Sequence, residues 1–331
     1  MQTQAKVCLL NIFFDSAEVR RLRLPPGSLR PADRTRLTGS HILICGSEPE
    51  FQAPARPPPV SIFWLKLAVI LYGVASLAVL PTVLYDRPRW RLLAIPAAVS
   101  ALLFHFVSVA EMLNAAHHFL PVSASEVQAV LALLLAAAFL AVYAWYRTLT
   151  VGVVLLPAVF LLGLMPAFAP GRRQLDEPLL HSVWLWLHIG LLLTAYAALC
   201  VSVLASVLYL IQENRLKART SVGLLSRLPP LETTDQIALK SLLIGLPCMT
   251  AGLLIGSALA QVTYGVSYFR DPKVLLSFAM WVAYVAMIAI RRSSGLRGRR
   301  AVWLSSFVFV IMLVVWSANQ VSSVHQFAGR P

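Results

Sequence analysis

Charge is scarce in this chain for its length. Only 13% of its 331 residues are Asp, Glu, Lys or Arg, and just 14 are acidic. With 58% hydrophobic residues and a mean hydropathy of +0.74, that scarcity excludes an ordinary soluble domain. The four cysteines, Cys8, Cys45, Cys200 and Cys248, form no C-x-x-C pair, which argues against thiol transfer and zinc-ribbon chemistry. The chain also lacks H-E-x-x-H, a phosphate-cradling glycine loop, a Ser/His/Asp order and a pair of deeply buried carboxylates. Nothing in it requires an enzyme.

What the chain has is apolar length. Stretches of about 20 residues, enough to cross a hydrocarbon core of about 30 Å, recur from residue 60 onward. Eight are expected: 61–85, 92–113, 126–146, 150–169, 184–211, 238–260, 274–290 and 301–321. Lipid offers no partner to an unpaired backbone group, and these runs are too long for tilted barrel strands, so they are helices. The expected fold is all-α, a polytopic transmembrane bundle. Residues 1–59 differ: they lack sustained periodicity and end in "APARPPPV". They are expected to be a disordered or non-native tail ahead of a membrane domain over 60–327.

The net charge of +14 does not point to nucleic acid, because the cations concentrate in alternate short loops. Arg87, Arg89, Arg91, Arg147, Arg215, Lys217, Arg219, Arg227, Arg291, Arg292, Arg297, Arg299 and Arg300 make thirteen on one side. Arg172, Arg173, Arg270, Lys273 and Arg330 make five on the other. The richer side is inner by the positive-inside rule, which puts the start of the first span and the C-terminus outside. The tail, with eight Lys or Arg, opposes this assignment and is discounted because of its length.

Of seven histidines, His41 lies in the tail and His105 near the middle of the second span. His117, His118, His181, His188 and His325 fall at or near the expected outer face. Neutral imidazole ligates iron, so such a set can mark a haem or metal site. Each also has a plain reading: His188 as a hydrogen-bonded interfacial residue, His325 as a solvated one, and His105 as a buried structural partner. His117 and His118 are adjacent and point in different directions, which disfavours joint ligation.

Between the sixth and seventh spans stands "SYFRDPKVLLSF", residues 267–278. Asp271 is suited to cap a helix and Pro272 to its first position. Tyr264, Tyr268 and Phe269 suit an interfacial belt or a platform under a flat apolar ring. Arg270 and Lys273 are either loop charges or partners for carboxylates.

Four segments in order, "WLWLHIGLLLTAYAALCVSVLASVLYLIQENRLK" (184–217), "LPPLETTDQIALKSLLIGLPCMTAGLLIGSALA" (228–260), "DPKVLLSFAMWVAYVAMIAIRRSSGLRGRRAVWL" (271–304) and "SSVHQF" (322–327), resemble the cytochrome c assembly superfamily. "FLPVSASE" (119–126) adds a weaker likeness. The branch resembled most is the HemX or YpjD-like one, related to CcsA. In that family a tryptophan-rich external loop ending in Trp-Asp-Pro-Lys-Glu is flanked by two external histidines that ligate haem. The resemblance implies that His188 and His325 are those histidines and that Asp271, Pro272 and Lys273 end the loop. It departs where CcsA has tryptophans, since Tyr264, Tyr268 and Arg270 stand there, and where the acid would follow, since Val274 does. A further histidine of CcsA is matched by Ala289.

The resemblance therefore implies a multi-pass protein of the bacterial inner membrane that handles haem b in cytochrome c maturation. Its iron ligands would be His188 and His325, with Tyr264, Tyr268, Phe269, Arg270, Asp271 and Lys273 around the ring. The implied partners are a ResB-like subunit and apocytochrome c, besides membrane lipid. The HemX branch implies an alternative: a membrane scaffold that regulates glutamyl-tRNA reductase through basic inner loops and binds no haem.

Overall fold

A computed structural model describes residues 59–85, 87–115, 121, 123–168, 182–217, 230–293 and 299–318. Residues 1–58 of the N-terminal tail, with His41, and His117, His118, His181 and His325 lie outside them, while Pro59 begins the first helix. Among the described residues there are eight α-helices and no strand. They are α1 (Pro59–Leu84), α2 (Pro88–Ala115), α3 (Ala124–Tyr146), α4 (Gly152–Phe168), α5 (Val183–Lys217), α6 (Leu231–Tyr264), α7 (Pro272–Ser293) and α8 (Arg299–Ser317). A 3₁₀ segment, η1 (Gly265–Arg270), joins α6 to α7.

The all-helical expectation is met, with one difference in the spans. Seven helices are long and apolar enough to cross a membrane, while α4, at 17 residues, sits at the lower limit of crossing length. The chain is an integral membrane protein. Its α5 and α6 outrun the apolar stretches read from sequence: α5 continues to Lys217, and α6 begins at Leu231. Each is about 50 Å long, well beyond the hydrocarbon thickness. Hydropathy registers only the lipid-matched part, so Glu232 and Asp235, ahead of the 238–260 stretch, lie in the first turns of α6.

Helix starts follow local chemistry. Ser123 caps α3: its hydroxyl accepts from the Glu126 amide at 3.2 Å, and the Glu126 carboxylate accepts from the Ser123 amide at 3.1 Å. This reciprocal box satisfies two amides that would otherwise lack partners.

The packing forms two groups. Helices α1 to α4 pack together, α5 to α8 pack together, and contacts of α5 with α3 and, to a lesser extent, α4 join them. The enclosed axis is α5, with 67% of its most apolar window buried. By contrast only 22% is buried in α6, which therefore lies at the bundle surface while leaning along α5. The bundle's continuous apolar core includes Leu193, Ala197, Leu199 and Val203 of α5 and Ile237, Leu242 and Met249 of α6.

Candidate functional site

The site is reached from α5 and α6. These helices run antiparallel, so the start of α5 lies beside the end of α6, and η1 continues from there into α7. His188 is in the second turn of α5. Opposite it α6 carries Gly252 and Gly256, four residues apart and hence on one face. A Cβ at Gly256 would lie 2.2 Å from His188 Cε1 and 2.4 Å from Nδ1, so the imidazole occupies the space the missing side chain leaves. One turn along, Leu192 covers Gly252, where a Cβ would lie 2.9 Å from Cδ2.

His188 Nδ1 donates to the carbonyl oxygen of Gly252 at 2.7 Å. A carbonyl only accepts, so the proton is on Nδ1 and the lone pair of the neutral ring is on Nε2. Among the described residues Nε2 has no hydrogen-bond partner, and the residue is partly exposed. Iron-ligating histidines have this arrangement, with one nitrogen held by a backbone acceptor and the other available.

The turn above follows from two residues. Gly265 ends α6 at φ 64°, ψ −160°, a backbone region open almost only to glycine. Asp271 then starts α7: its Oδ1 accepts from the amides of Lys273 at 3.0 Å and Val274 at 3.3 Å. Its amide donates to the Tyr268 carbonyl at 3.1 Å, closing the 3₁₀ segment. The carboxylate is buried, so the helix-cap reading of Asp271 and Pro272 holds.

The aromatic residues of η1 divide. Tyr268 is buried, while Phe269 is 47% exposed and lies on it with ring centroids 4.1 Å apart. Phe269 also stacks with Phe278 of α7 at 6.2 Å, a partner that the sequence reading had not singled out. Phe269 is therefore the exposed ring of this pair, and Tyr268 the covered one. Of Tyr264 only the backbone is described, at the end of α6. Arg270 is exposed, and Lys273 is half-buried and close enough to interact electrostatically with both Asp271 and His188.

The structure thus brings His188, the Gly252–Gly256 step, η1 and Lys273 to one end of the bundle. The end of α8 joins them, for Trp316 packs beside Tyr196, two turns from His188 on α5. Gly252 and Gly256 went unnoticed in the sequence; their four-residue spacing was the available signal. His105, near the middle of α2, lies apart from this end, fully buried, with Nδ1 3.4 Å from the hydroxyl of Tyr72 on α1. Among the described residues no group of three His, Cys, Asp or Glu is arranged to hold a bare metal ion.

The profile of the family described as cytochrome C assembly protein matches residues 67–324, most of the chain. CcsA, a cytochrome c biogenesis protein, of Prochlorococcus marinus strain MIT 9215 is 32% identical over 158 residues, covering 42% of this chain and 51% of the relative. CcsA of Guillardia theta is 25% identical over 199 residues, covering 54% of this chain and 66% of the relative. The chain thus spans about half the length of the first of these relatives. No solved structure matches. On the extent of the family match, this chain belongs to the cytochrome C assembly protein family.

Proposed function

We propose that this protein holds haem at the end of the bundle where α5, α6 and η1 meet and presents it for cytochrome c maturation. The haem is cargo, and its iron is the centre to be ligated. The observation that carries the reading is the His188–Gly252 hydrogen bond, which fixes the protonated nitrogen and leaves Nε2 for iron. The CcsA relatives, cytochrome c biogenesis proteins by name, support the maturation part of this reading.

The other residues fit a porphyrin in kind. Phe269 offers an exposed aromatic ring packed on Tyr268, and Arg270 and Lys273 are cations suited to propionates. His325 would be the second axial ligand. Seven residues lie between it and Ser317 at the end of α8, a length of chain that extends to at most about 28 Å, so the His188 end is within reach. Two imidazoles would keep the iron six-coordinate and guarded from oxygen. Haem b is the form proposed, apocytochrome c and a ResB-like subunit the partners, and the outer face of the bacterial inner membrane the location, from the arginine asymmetry.

The test is the absorption spectrum of the detergent-purified protein, oxidised and reduced, beside His188→Ala and His325→Ala. A Soret band with sharp reduced bands, lost or shifted to five-coordinate character in either variant, supports the assignment. A wild type that takes up no haem on reconstitution overturns it.

A further inference from the structure

We propose that the Gly252–Gly256 step of α6 is a seat that positions His188: the Gly252 carbonyl sets its tautomer, and the missing side chain of Gly256 gives its ring the space it fills. The inference rests on the haem-ligand reading and adds two positioning residues to it.

Two observations carry the seat. The 2.7 Å bond from Nδ1 to Gly252 fixes the ring's rotation as well as its proton, because a carbonyl directs the N–H along its own lone pairs. The overlap at Gly256 is with the imidazole itself, at Cε1 and Nδ1, while a Cβ would lie 3.0 Å from Nε2. The Nδ1–Cε1 edge thus lies deepest in the space a Gly256 side chain would fill, with Nε2 next to it. Alanine at Gly256 admits neither this ring position nor the bond to Gly252, so the ring must swing away or the helices part.

The other glycines of these helices supply controls. A Cβ at Gly190, on α5 close to His188, meets nothing within 4 Å. A Cβ at Gly245, about two to three turns along the same seam, would meet the Tyr284 hydroxyl at 2.3 Å and Ala198 Cβ at 3.1 Å without touching His188. Gly245→Ala therefore disturbs the seam generally, whereas Gly256→Ala disturbs the ligand.

The experiment reconstitutes wild type, His188→Ala, Gly256→Ala, Gly190→Ala and Gly245→Ala with haem and compares their spectra. Gly256→Ala should lose the six-coordinate low-spin Soret band as His188→Ala does, and added free imidazole should restore it. Gly190→Ala and Gly245→Ala should keep it. A Gly256→Ala spectrum like that of wild type, while His188→Ala changes, overturns the seat and leaves the ligand reading standing. An unchanged His188→Ala spectrum overturns the ligand reading itself. Loss of the band in Gly245→Ala as well overturns the local seat in favour of general seam packing. A haem-free readout covers the case in which Gly256→Ala does not fold: ¹⁵N NMR of histidine-labelled wild type, with His188 assigned by difference against His188→Ala. The expected state is the Nδ1–H tautomer, and an Nε2–H tautomer overturns the proposal.

Discussion

Arg291, at the end of α7, is buried and bonded through Nη2 to the Asp235 side chain and, at 3.3 Å, to the Asp235 carbonyl on α6. Its side chain is 3% exposed against 16% for Asp235. In the sequence Arg291 is one of thirteen cations that mark the inner side. In the fold it is a tie between helices. Next to it Thr234 donates to Gln212 of α5 at 3.3 Å, so three helix ends meet in one polar group.

Removing one side of a buried pair leaves the other charge without compensation, at a cost of about 3–5 kcal/mol. Asp235→Ala should lower the thermal midpoint in detergent more than Arg291→Ala, because it leaves the more deeply buried charge unpaired. The double variant should lose less than the sum of the single ones. Strict additivity would mean that the two side chains do not act as a pair.

Asp271 should act first as a helix cap. Asp271→Ala is expected to cost about 1 kcal/mol through the amides of Lys273 and Val274, and Asp271→Asn to keep most of that stability. Thermal unfolding of the two variants separates the outcomes. Equal loss in both would show that the negative charge matters more than the cap.

Gly265 is constrained by its backbone alone. Nothing lies within 4 Å of a Cβ built there, yet its φ of 64° with ψ −160° is strained for any other residue. Gly265→Ala should therefore cost about 1–3 kcal/mol and disturb η1, despite the open space. Hydrogen exchange over residues 261–275 would report the change; unaltered protection there would contradict it.

His105 tests whether a histidine in a span must be functional. Among the described residues its buried Nε2 has no hydrogen-bond partner and its Nδ1 meets only the Tyr72 hydroxyl. His105→Leu should cost about 1–3 kcal/mol by stranding that hydroxyl, and Tyr72→Phe with His105→Leu should recover most of it. Melting curves of the three forms decide the matter. A double variant worse than His105→Leu would point to a further partner of His105.

Sequence alone was enough for the parts of this protein that depend on solvent. Apolar length determined the helices, because unpaired backbone groups cannot be left in lipid, and Asp271–Pro272 marked a helix start through hydrogen bonds made within a few residues. The short α4 and the overlong ends of α5 and α6 were blurred for the same reason: hydropathy follows the lipid boundary and not the last hydrogen bond. Tertiary structure alone decided what faces what. His188 and Gly252 are 64 residues apart, as Arg291 and Asp235 are 56, and no local preference encodes either meeting. Whether a glycine is a gap or a seat, and whether an arginine is a surface charge or a buried tie, is settled only when helices pack and one side chain takes the space another leaves.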